Sequence, residues 1–165
     1  MRAGSFALVV LVFVALSACS DSKFRTYKGP EVTRIEVQKA ERKMYLFSGD
    51  RVLKSYDIRL DFAPTGHKKA EGDGRTPEGT YFINRRNPNS AYHLSLGISY
   101  PNIQDVQVAR AAGSPPGGDI FIHGRTGYKG RNRNDWTAGC IAVRDREMED
   151  IYAMVKTGTI IVIKP

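Results

Sequence analysis

The chain has 165 residues, and its 25 lysines and arginines outnumber its 17 aspartates and glutamates, which gives a net charge of +8. A balance of this kind suits anionic partners: nucleic acid, acidic lipid headgroups or a carboxylate-rich polymer. The chain is also poor in cysteine, with two in all. The position of each cysteine is therefore informative.

The first residues have the pattern of an export signal. Arg2 precedes an apolar run, Phe6 to Leu16, that is too short to span a bilayer as a stable anchor. The run ends in Leu16-Ser17-Ala18-Cys19, which resembles the lipobox of bacterial lipoproteins. The resemblance implies cleavage before Cys19 and acylation of its thiol and new amine. The alternative is an ordinary signal peptide with a chance cysteine near its cleavage site.

Export sets the expected domain boundaries and location. We expect residues 1–18 to be a lipoprotein signal peptide, 19–31 a lipidated cysteine and polar tether, and 32–165 one domain with a real core. The anchor would hold the protein on the periplasmic face of a bacterial membrane. Ser20 is not the aspartate that retains enteric lipoproteins at the inner membrane, which slightly favours the outer membrane. Export argues against nucleic acid as a partner, and we expect a monomer.

Short extended segments begin after the tether. Ile35 and Val37 alternate with polar residues, which predicts a half-buried strand. KMYLFS and VLKSYDIRL follow, and the Ser48-Gly49-Asp50 between them is typical of a hairpin turn. The residues predicted to share one face of the second segment are Val52, Tyr56, Ile58 and Leu60.

The middle of the chain begins with a predicted long loop. Residues 61–79 lack periodicity and are rich in glycine, proline and charge, and loops of this length in a compact domain are more often functional than idle. The apolar and β-branched runs beyond it predict five more short strands. These strands are predicted at Thr80–Asn84, Tyr92–Leu96, Asp119–His123, Cys140–Val143 and Thr159–Ile163.

One amphipathic helix is predicted late in the chain. Asp145 can cap it, Glu147 favours its first turn, and Gly158 is placed to end it. Its apolar face is predicted to consist of Met148, Ile151, Tyr152 and Val155. A second short helix is predicted around Asp105–Ala112. The sum is a mainly β domain, a β-sandwich or open barrel of mixed sheets, with one or two short helices.

The second cysteine, Cys140, follows Gly139 and precedes an apolar run. A thiol becomes a strong nucleophile only with a nearby base or a positive environment. His123 ends the apolar segment that starts at Asp119, and a basic loop separates it from Cys140. Two adjacent strands joined by that loop could bring imidazole and thiol together. A buried structural cysteine with an incidental histidine is the alternative, and spacing alone does not decide between them.

The surroundings of this pair resemble a known family. IHG at 122–124 and TAGCIAV at 137–143 look like the His-Gly and Ser/Thr-x-Gly-Cys segments of the L,D-transpeptidase (YkuD-type) catalytic domain. GDGRTPEGTYFI at 72–83 resembles the family's Thr-Pro-x-Gly segment, and YHLSLGISYPN at 92–102 is similar to a segment of lipoprotein and periplasmic members. The resemblance covers the chain from Val32 to the C-terminus, and implies a lipoprotein member with the L,D-transpeptidase fold.

The resemblance also implies a reaction. Cys140 would be the nucleophile and His123 its base, with the carbonyl of Gly124 orienting the imidazole and the N–H groups of Gly139 and Cys140 facing the oxyanion. Cys140 would attack the amide after a meso-diaminopimelate or similar residue in a peptidoglycan tetrapeptide stem. D-Alanine would leave, and an amine or water would resolve the acyl-enzyme. No metal or organic cofactor enters this scheme.

Further residues are candidates for binding the stem peptide. Arg125, with Lys129, Arg131 and Arg133 in the same loop, suits capture of stem carboxylates, although such runs are usually solvated loops. Trp136 packs the loop or stacks on sugar, His93 reaches into the groove or is satisfied at a sheet surface, and His67 is solvated or at the substrate rim. The substrate-binding candidates are Arg125, Thr137, Trp136, Arg75 and His93.

Several alternatives remain open on the sequence. Ala138 and Ala142 stand where many family members have polar side chains, so the product could come from transfer or from hydrolysis by an L,D-carboxypeptidase, an endopeptidase or a lipoprotein-detaching amidase. A non-catalytic envelope lipoprotein that binds cell wall is a rival from another class. A thiol redox protein is disfavoured because no resolving cysteine is available. A metal site is disfavoured because His123 and Cys140 lack companion ligands at metal-binding spacing.

Overall fold

The computed structural model describes residues 22–125 and 135–165. In this part of the chain, most elements are strands. Of the two helices, one follows the fifth strand and the other precedes the last strand. The elements are β1 (Arg34–Gln38), β2 (Lys43–Ser48), β3 (Arg51–Asp57), β4 (Gly79–Asn87), β5 (Ser95–Ile98), α1 (Ile103–Ala111), β6 (Phe121–His123), β7 (Ile141–Ala142), α2 (Asp145–Met154) and β8 (Ile160–Lys164).

All the described strands belong to one mixed sheet. Its order is β3-β2-β1-β8-β4-β5-β6-β7, with parallel pairing between β1 and β8 and between β6 and β7. The sheet curls, because Arg59, just beyond β3 at one edge, exchanges two 2.8 Å backbone hydrogen bonds with Ala142 of β7 at the other edge. The predicted mainly β fold is confirmed, in its open-barrel form.

The inward face of the curled sheet forms the core. Each strand contributes alternate apolar residues, as its period-two pattern predicts: Ile35 and Val37 are fully buried in β1, and so are Met44 and Leu46 in β2. The turn between β2 and β3 lies at residues 49–50, where Gly49 adopts a φ of +58°, so the predicted hairpin is confirmed. The helix α2 covers this core with Met148, Ile151 and Tyr152.

The prediction that Val52 shares the buried face of β3 is wrong. The ladder between β2 and β3 shifts register between the pairs Leu46–Lys54 and Phe47–Val52. This β-bulge turns Val52 to the side of Phe47, away from the core, and leaves it 48% exposed. Leu53 packs partly against the core instead. Tyr56, Ile58 and Leu60 are buried as predicted.

The strand predicted from Tyr92 begins only at Ser95. Tyr92 and His93 lie in a tight turn, in which the Leu94 N–H donates to the Tyr92 carbonyl at 3.0 Å and His93 has a φ of +73°. The prediction of His93 as a strand residue is therefore wrong. The Tyr92 carbonyl also accepts from Gly124 N–H at 3.1 Å, so this turn is tied to the end of β6.

The ends of α2 also differ from the prediction. Asp145 is the first helical residue and not the cap, and its carboxylate accepts from the Arg125 N–H at 2.6 Å. Glu147 accepts from the Arg144 N–H at 2.9 Å at this helix start. The helix ends at Met154, and Gly158, with a φ of +90°, lies in the turn that leads to β8.

The first helix, α1, starts at Ile103, two residues before its predicted start at Asp105. Asn102 caps it by accepting from the Asp105 N–H at 3.0 Å, while Asp105 accepts from the Asn102 N–H at 2.9 Å. Neither this helix nor α2 is long and apolar enough to cross a bilayer, and the same holds throughout the part of the chain that the structure describes.

Residues 22–31, predicted as a tether, lie against the domain. Arg25 forms ion pairs with Glu149 and Asp150 of α2 at 2.7 and 2.8 Å. Lys23 donates to the carbonyls of Pro88 and His93 at 2.6 and 3.1 Å. Cys19 and the predicted signal peptide lie outside the described residues, and the boundaries at 18 and 31 remain predictions.

Candidate active site

Two neighbouring parallel strands bring His123 and Cys140 to one place. His123 ends β6 and is paired with Ala142 of β7, and Cys140 directly precedes β7. Both side chains line one pocket of about 230 Å³. The other described residues of its lining are Asn87, Ser90, Tyr92, Ser95, Asp119 and Phe121.

His123 is held as a neutral base. Its ring is buried, and Nδ1 lies 2.7 Å from the Gly124 carbonyl oxygen, which can only accept, so Nδ1 carries the proton. Nε2 is then the ring's proton acceptor. Burial lowers the pKa of His123 below its usual value, and the hydrogen bond to Gly124 only partly opposes this.

Two aromatic rings fix the orientation of the imidazole. The Tyr92 ring stacks on it with a centroid distance of 4.5 Å and an interplanar angle of 29°. The Trp136 ring meets it edge-on at 5.7 Å. These contacts restrain the rotation of the His123 side chain and shield one part of the ring from water. Tyr92 was not among the residues that the sequence singled out.

Cys140 carries a protonated thiol in this environment. Burial raises its pKa, and the nearby Asp119 carboxylate raises it further, while the Phe121 N–H and the Lys68 ammonium oppose the rise. Its Sγ lies 3.6 Å from the Asp119 carbonyl oxygen, which suits donation by the thiol. Nucleophilic attack by this thiol therefore needs a base at the moment of reaction.

A tight turn aims Cys140 into the pocket. Thr137 Oγ1 donates to the Cys140 carbonyl at 2.7 Å and accepts from the Gly139 N–H at 3.4 Å. Gly139 has a φ of +124°, and a Cβ there would lie 2.8 Å from the Arg75 carbonyl oxygen. Glycine is therefore required at 139, both by backbone conformation and by the close approach of residue 75.

The segment beyond β3 supports this turn from behind. The Leu60 carbonyl accepts from the N–H groups of Trp136 and Thr137 at 3.0 and 2.9 Å. Asp135 accepts from the Leu60 N–H at 2.8 Å and forms a two-pronged pair with the Arg42 guanidinium. Asp61, fully buried, accepts from the Thr76 hydroxyl and from the Ala63 N–H.

The sequence-predicted residues do not all reach the pocket. Gly124 contacts His123 as expected, and Thr137 and Gly139 shape the turn at Cys140. Arg75 packs behind Gly139 through its carbonyl, outside the pocket lining. His93 points to α2, where its Nε2 lies 2.9 Å from Glu149 Oε1. Arg125, with a φ of +62°, is exposed beside Asp145, and Lys129, Arg131 and Arg133 lie outside the described residues.

The long loop at 61–79 is ordered by buried charge. Lys39, 1% exposed, donates to the carbonyls of Gly66 and Thr76 and to Glu78 Oε1 at 2.7, 3.1 and 2.8 Å. His67 accepts from the Glu78 N–H at 3.0 Å and faces Asp105 at 3.2 Å, so it is part of this framework. Within residues 22–125 and 135–165, no three His, Cys, Asp or Glu side chains form a group that could hold a metal ion.

The comparison with known proteins decides the family. The family model described as "L,D-transpeptidase catalytic domain" (YkuD) matches residues 32–163. The chain belongs to this family. Over 137 residues it is 30% identical to "Putative L,D-transpeptidase YafK" of Escherichia coli (strain K12), a match that covers 79% of this chain and 50% of the relative.

Solved structures of other proteins share the fold. The helical cell shape determining protein Pgp2 of Campylobacter jejuni (K307A mutant) aligns with a TM-score of 0.63 at 26% identity, covering 84% of this chain and 48% of that one. An Enterococcus faecium L,D-transpeptidase (C442S mutant) aligns with a TM-score of 0.52 at 15% identity, covering 82% and 50%. The chain spans about half the length of the curated relative that it matches.

Proposed function

We propose that this protein is a cysteine-dependent peptidoglycan L,D-transpeptidase that acts on tetrapeptide stems. One observation carries the proposal: Cys140 and His123 line the same pocket, and the Gly124 carbonyl fixes the imidazole tautomer that leaves Nε2 free to accept a proton. Membership of the L,D-transpeptidase family supplies the class of substrate.

The protonation states on the two side chains define the first step. His123 is neutral and Cys140 is a thiol at neutral pH, because burial disfavours both charged forms. As Sγ attacks the carbonyl carbon of the stem amide, Nε2 takes the thiol proton, and the carbonyl oxygen becomes the oxyanion. The imidazolium then gives that proton to the departing amine of D-alanine, and a thioester to Cys140 remains.

The second step decides the product. An amine of another stem, or water, attacks the thioester and loses a proton to His123, and the Cys140 thiol re-forms when the proton returns to sulfur. Ala138 is exposed next to Gly139 and offers no hydrogen bond to an acceptor. Transfer and hydrolysis therefore differ only in which nucleophile reaches the thioester.

The anchor and location belong to the same proposal. The apolar run before Cys19 and the sequence Leu16-Ser17-Ala18-Cys19 support export and lipidation at the periplasmic face of the membrane. An anchored enzyme would act on stems within reach of the membrane surface. A mass spectrum of protein extracted from membranes tests this, since a diacyl or triacyl addition on Cys19 is the expected result.

The test of the activity uses the full-length protein with purified disaccharide-tetrapeptide. We expect release of D-alanine and either crosslinked stems or tripeptide products, read by mass spectrometry. Replacing Cys140 with alanine should abolish turnover, a loss of at least about 10³-fold, because no other thiol lies in the described pocket lining. A Cys19→Ala variant is the matched control, since it removes the other cysteine of the chain and should retain turnover.

The products also test the alternatives. Crosslinked stems assign a transpeptidase, tripeptides assign a carboxypeptidase, and cleavage of crosslinked stems assigns an endopeptidase. Retained binding to cell wall with no turnover and no acyl adduct on Cys140 would contradict the enzyme assignment and favour a wall-binding protein.

A further inference from the structure

The mouth of the catalytic pocket carries an exposed ion pair. Asp119 lines the pocket together with Cys140, and Arg85 of β4 lies beside it, with Nη2 2.8 Å from Asp119 Oδ1. The Arg85 side chain is 55% exposed and the Asp119 side chain is 85% exposed. Asp119 is the one carboxylate among the described residues of the lining. A ligand that enters this pocket therefore meets an anion with a cation next to it.

The arginine of this pair is held in place by an aromatic ring. Its guanidinium carbon lies 4.6 Å from the centroid of Phe121, which also lines the pocket. A cation over an aromatic face is favourable and restrains the planar guanidinium. The contact with Asp119 uses Nη2. Because a guanidinium has five N–H donors, Arg85 retains the capacity to bind a second carboxylate.

The aspartate of this pair is placed by its backbone. Asp119 has a φ of +53°, a left-handed conformation that is uncommon for residues other than glycine. In this conformation its carbonyl oxygen lies 3.6 Å from the Cys140 thiol while its carboxylate remains exposed to solvent. Such conformations are concentrated at functional sites. The carboxylate therefore lies close to the reacting sulfur without being buried beside it.

We propose that Arg85 and Asp119 select stems whose third residue ends in a zwitterion. The proposal rests on the proposed function above. A diaminopimelate side chain ends in both an ammonium and a carboxylate, whereas a lysine side chain ends in an ammonium alone. Asp119 accepts hydrogen bonds from the ammonium, and Arg85 donates to the carboxylate in the planar, forked geometry that guanidinium favours. The internal ion pair is exchanged for two pairs with the substrate, so no charge is left without a partner.

The expected selectivity is moderate because the site is open to water. Polar sites that are fully buried reject an analogue with a missing partner by roughly 10⁴-fold or more. Exposed charge pairs are worth much less, since solvent competes with them. We therefore expect the loss of one charged group from the substrate to lower kcat/KM about two- to fivefold.

The experiment compares three disaccharide-tetrapeptides with the full-length protein. One contains unmodified meso-diaminopimelate, the second has its side-chain carboxyl amidated, and the third has its side-chain amine acetylated. The variants are Arg85→Gln and Asp119→Asn, because asparagine also tolerates the left-handed conformation at 119. Arg85→Gln should remove the penalty for amidation and keep that for acetylation. Asp119→Asn should do the reverse.

A matched control separates this effect from general loss of surface charge. Asp57→Asn breaks the exposed Lys43–Asp57 pair, 2.6 Å long, outside the pocket lining, and should leave the wild-type pattern unchanged. The proposal is overturned if amidation and acetylation cost the same in both variants as in the wild type, while D-alanine release continues and the enzyme assignment stands. No D-alanine release from any stem by the wild type overturns both proposals.

Discussion

At the scale of single residues, the proposed chemistry depends on two groups that burial keeps uncharged. The pKa of His123 is lowered and that of Cys140 is raised, chiefly by burial in both cases. A thiolate–imidazolium pair would require both shifts to have the opposite sign. In the proposed reaction, the nucleophile is therefore generated during attack, when Nε2 of His123 takes the proton from sulfur.

This protonation state predicts slow alkylation of Cys140 at neutral pH. In the Cys19→Ala protein, where Cys140 is the remaining cysteine, the rate with iodoacetamide should rise with pH and have its midpoint above 9.0. Thiolate then makes up less than about 1% of Cys140 at pH 7. His123→Asn should leave this midpoint nearly unchanged, because a neutral imidazole does not stabilise thiolate. A midpoint near neutrality that His123→Asn abolishes would show a preformed ion pair instead.

The sequence identified this pair for a physical reason that the structure supports. His123 ends an apolar strand and Cys140 precedes another, so pairing of the two strands sets both at the same sheet edge. The sequence did not predict Tyr92 and Asp119 as residues of the site, because their positions there depend on turns. The stacking of Tyr92 on His123 and the left-handed conformation of Asp119 have no signature in local hydrophobic periodicity.

At the scale of elements, the segment beyond β3 positions the turn that carries Cys140. Leu60 bonds to residues 136 and 137 through its carbonyl and to Asp135 through its N–H, and Arg42 clamps the Asp135 carboxylate. These contacts cross from one edge of the curled sheet to the other. A distortion here would move Cys140 relative to His123, and small misplacements of reacting groups cost much rate.

Asp135→Asn tests this support. The change weakens a partly buried charge-assisted contact with Arg42, so the free energy of unfolding should fall by about 1–3 kcal/mol. We expect kcat to fall about tenfold with a smaller change in KM, because the turn is loosened while the pocket lining is intact. Urea unfolding and D-alanine release measure the two effects.

The control for this variant is Glu31→Gln, which breaks the exposed Lys156–Glu31 pair. It should leave both stability and turnover close to wild type, since exposed pairs contribute little. If Asp135→Asn lowers stability but leaves kcat at the wild-type value, the segment beyond β3 has a structural role only.

At the scale of the whole molecule, several ionisable groups stabilise the fold more at neutral pH than in acid. Asp73 is the strongest case: burial raises its pKa, but hydrogen bonds from the N–H groups of Lys69, Ala70 and Arg75 and from the Lys68 ammonium outweigh this and lower it to about 2. The pKa values of Glu36 and Asp57 are lowered chiefly by hydrogen bonds from Lys164 and Lys43. Burial raises the pKa of Glu149, but its contacts with Arg25 and His93 outweigh this and lower it. Each of these carboxylates binds its proton less readily in the folded state.

The sign of the pH dependence follows from these shifts. Between the unfolded pKa of 3.8 and the folded value of about 2, the unfolded chain binds more protons at Asp73, so acid favours unfolding. The lowered pKa of His123 acts in the same direction below its unfolded value of 6.5. Stability should therefore be highest at neutral pH and fall in two stages on acidification.

Asp73→Asn should reduce the free energy of unfolding by about 2 kcal/mol at pH 7, the value of a shift of this size. The difference from wild type should narrow as the pH falls from 3.8 towards 2, because the wild-type carboxyl is then protonated as well. Urea unfolding over a pH series measures this, with Asp50→Asn at the exposed β2–β3 turn as the control. A difference that stays constant with pH would contradict the electrostatic account.

The sequence by itself predicted the strand pattern, the family and the candidate catalytic pair of His123 and Cys140. Alternation of apolar residues in β1 and β2, the turn at Gly49 and the amphipathic face of α2 are local features, and each is present in the structure. The motifs at 122–124 and 137–143 are also local, and the family resemblance could therefore be seen in the sequence. The match of the family model over residues 32–163 confirms it.

Only the tertiary structure decided how the sheet closes and what surrounds the thiol. The β-bulge that exposes Val52, the pairing of Arg59 with Ala142, and the pocket-mouth pair of Arg85 and Asp119 join residues far apart in the chain. The contact between His93 and Glu149, which directs the His93 side chain to α2 and not to the pocket, also joins distant residues. Contacts of this kind depend on how twisted strands meet in space, and a one-dimensional pattern of side-chain polarity does not encode that geometry.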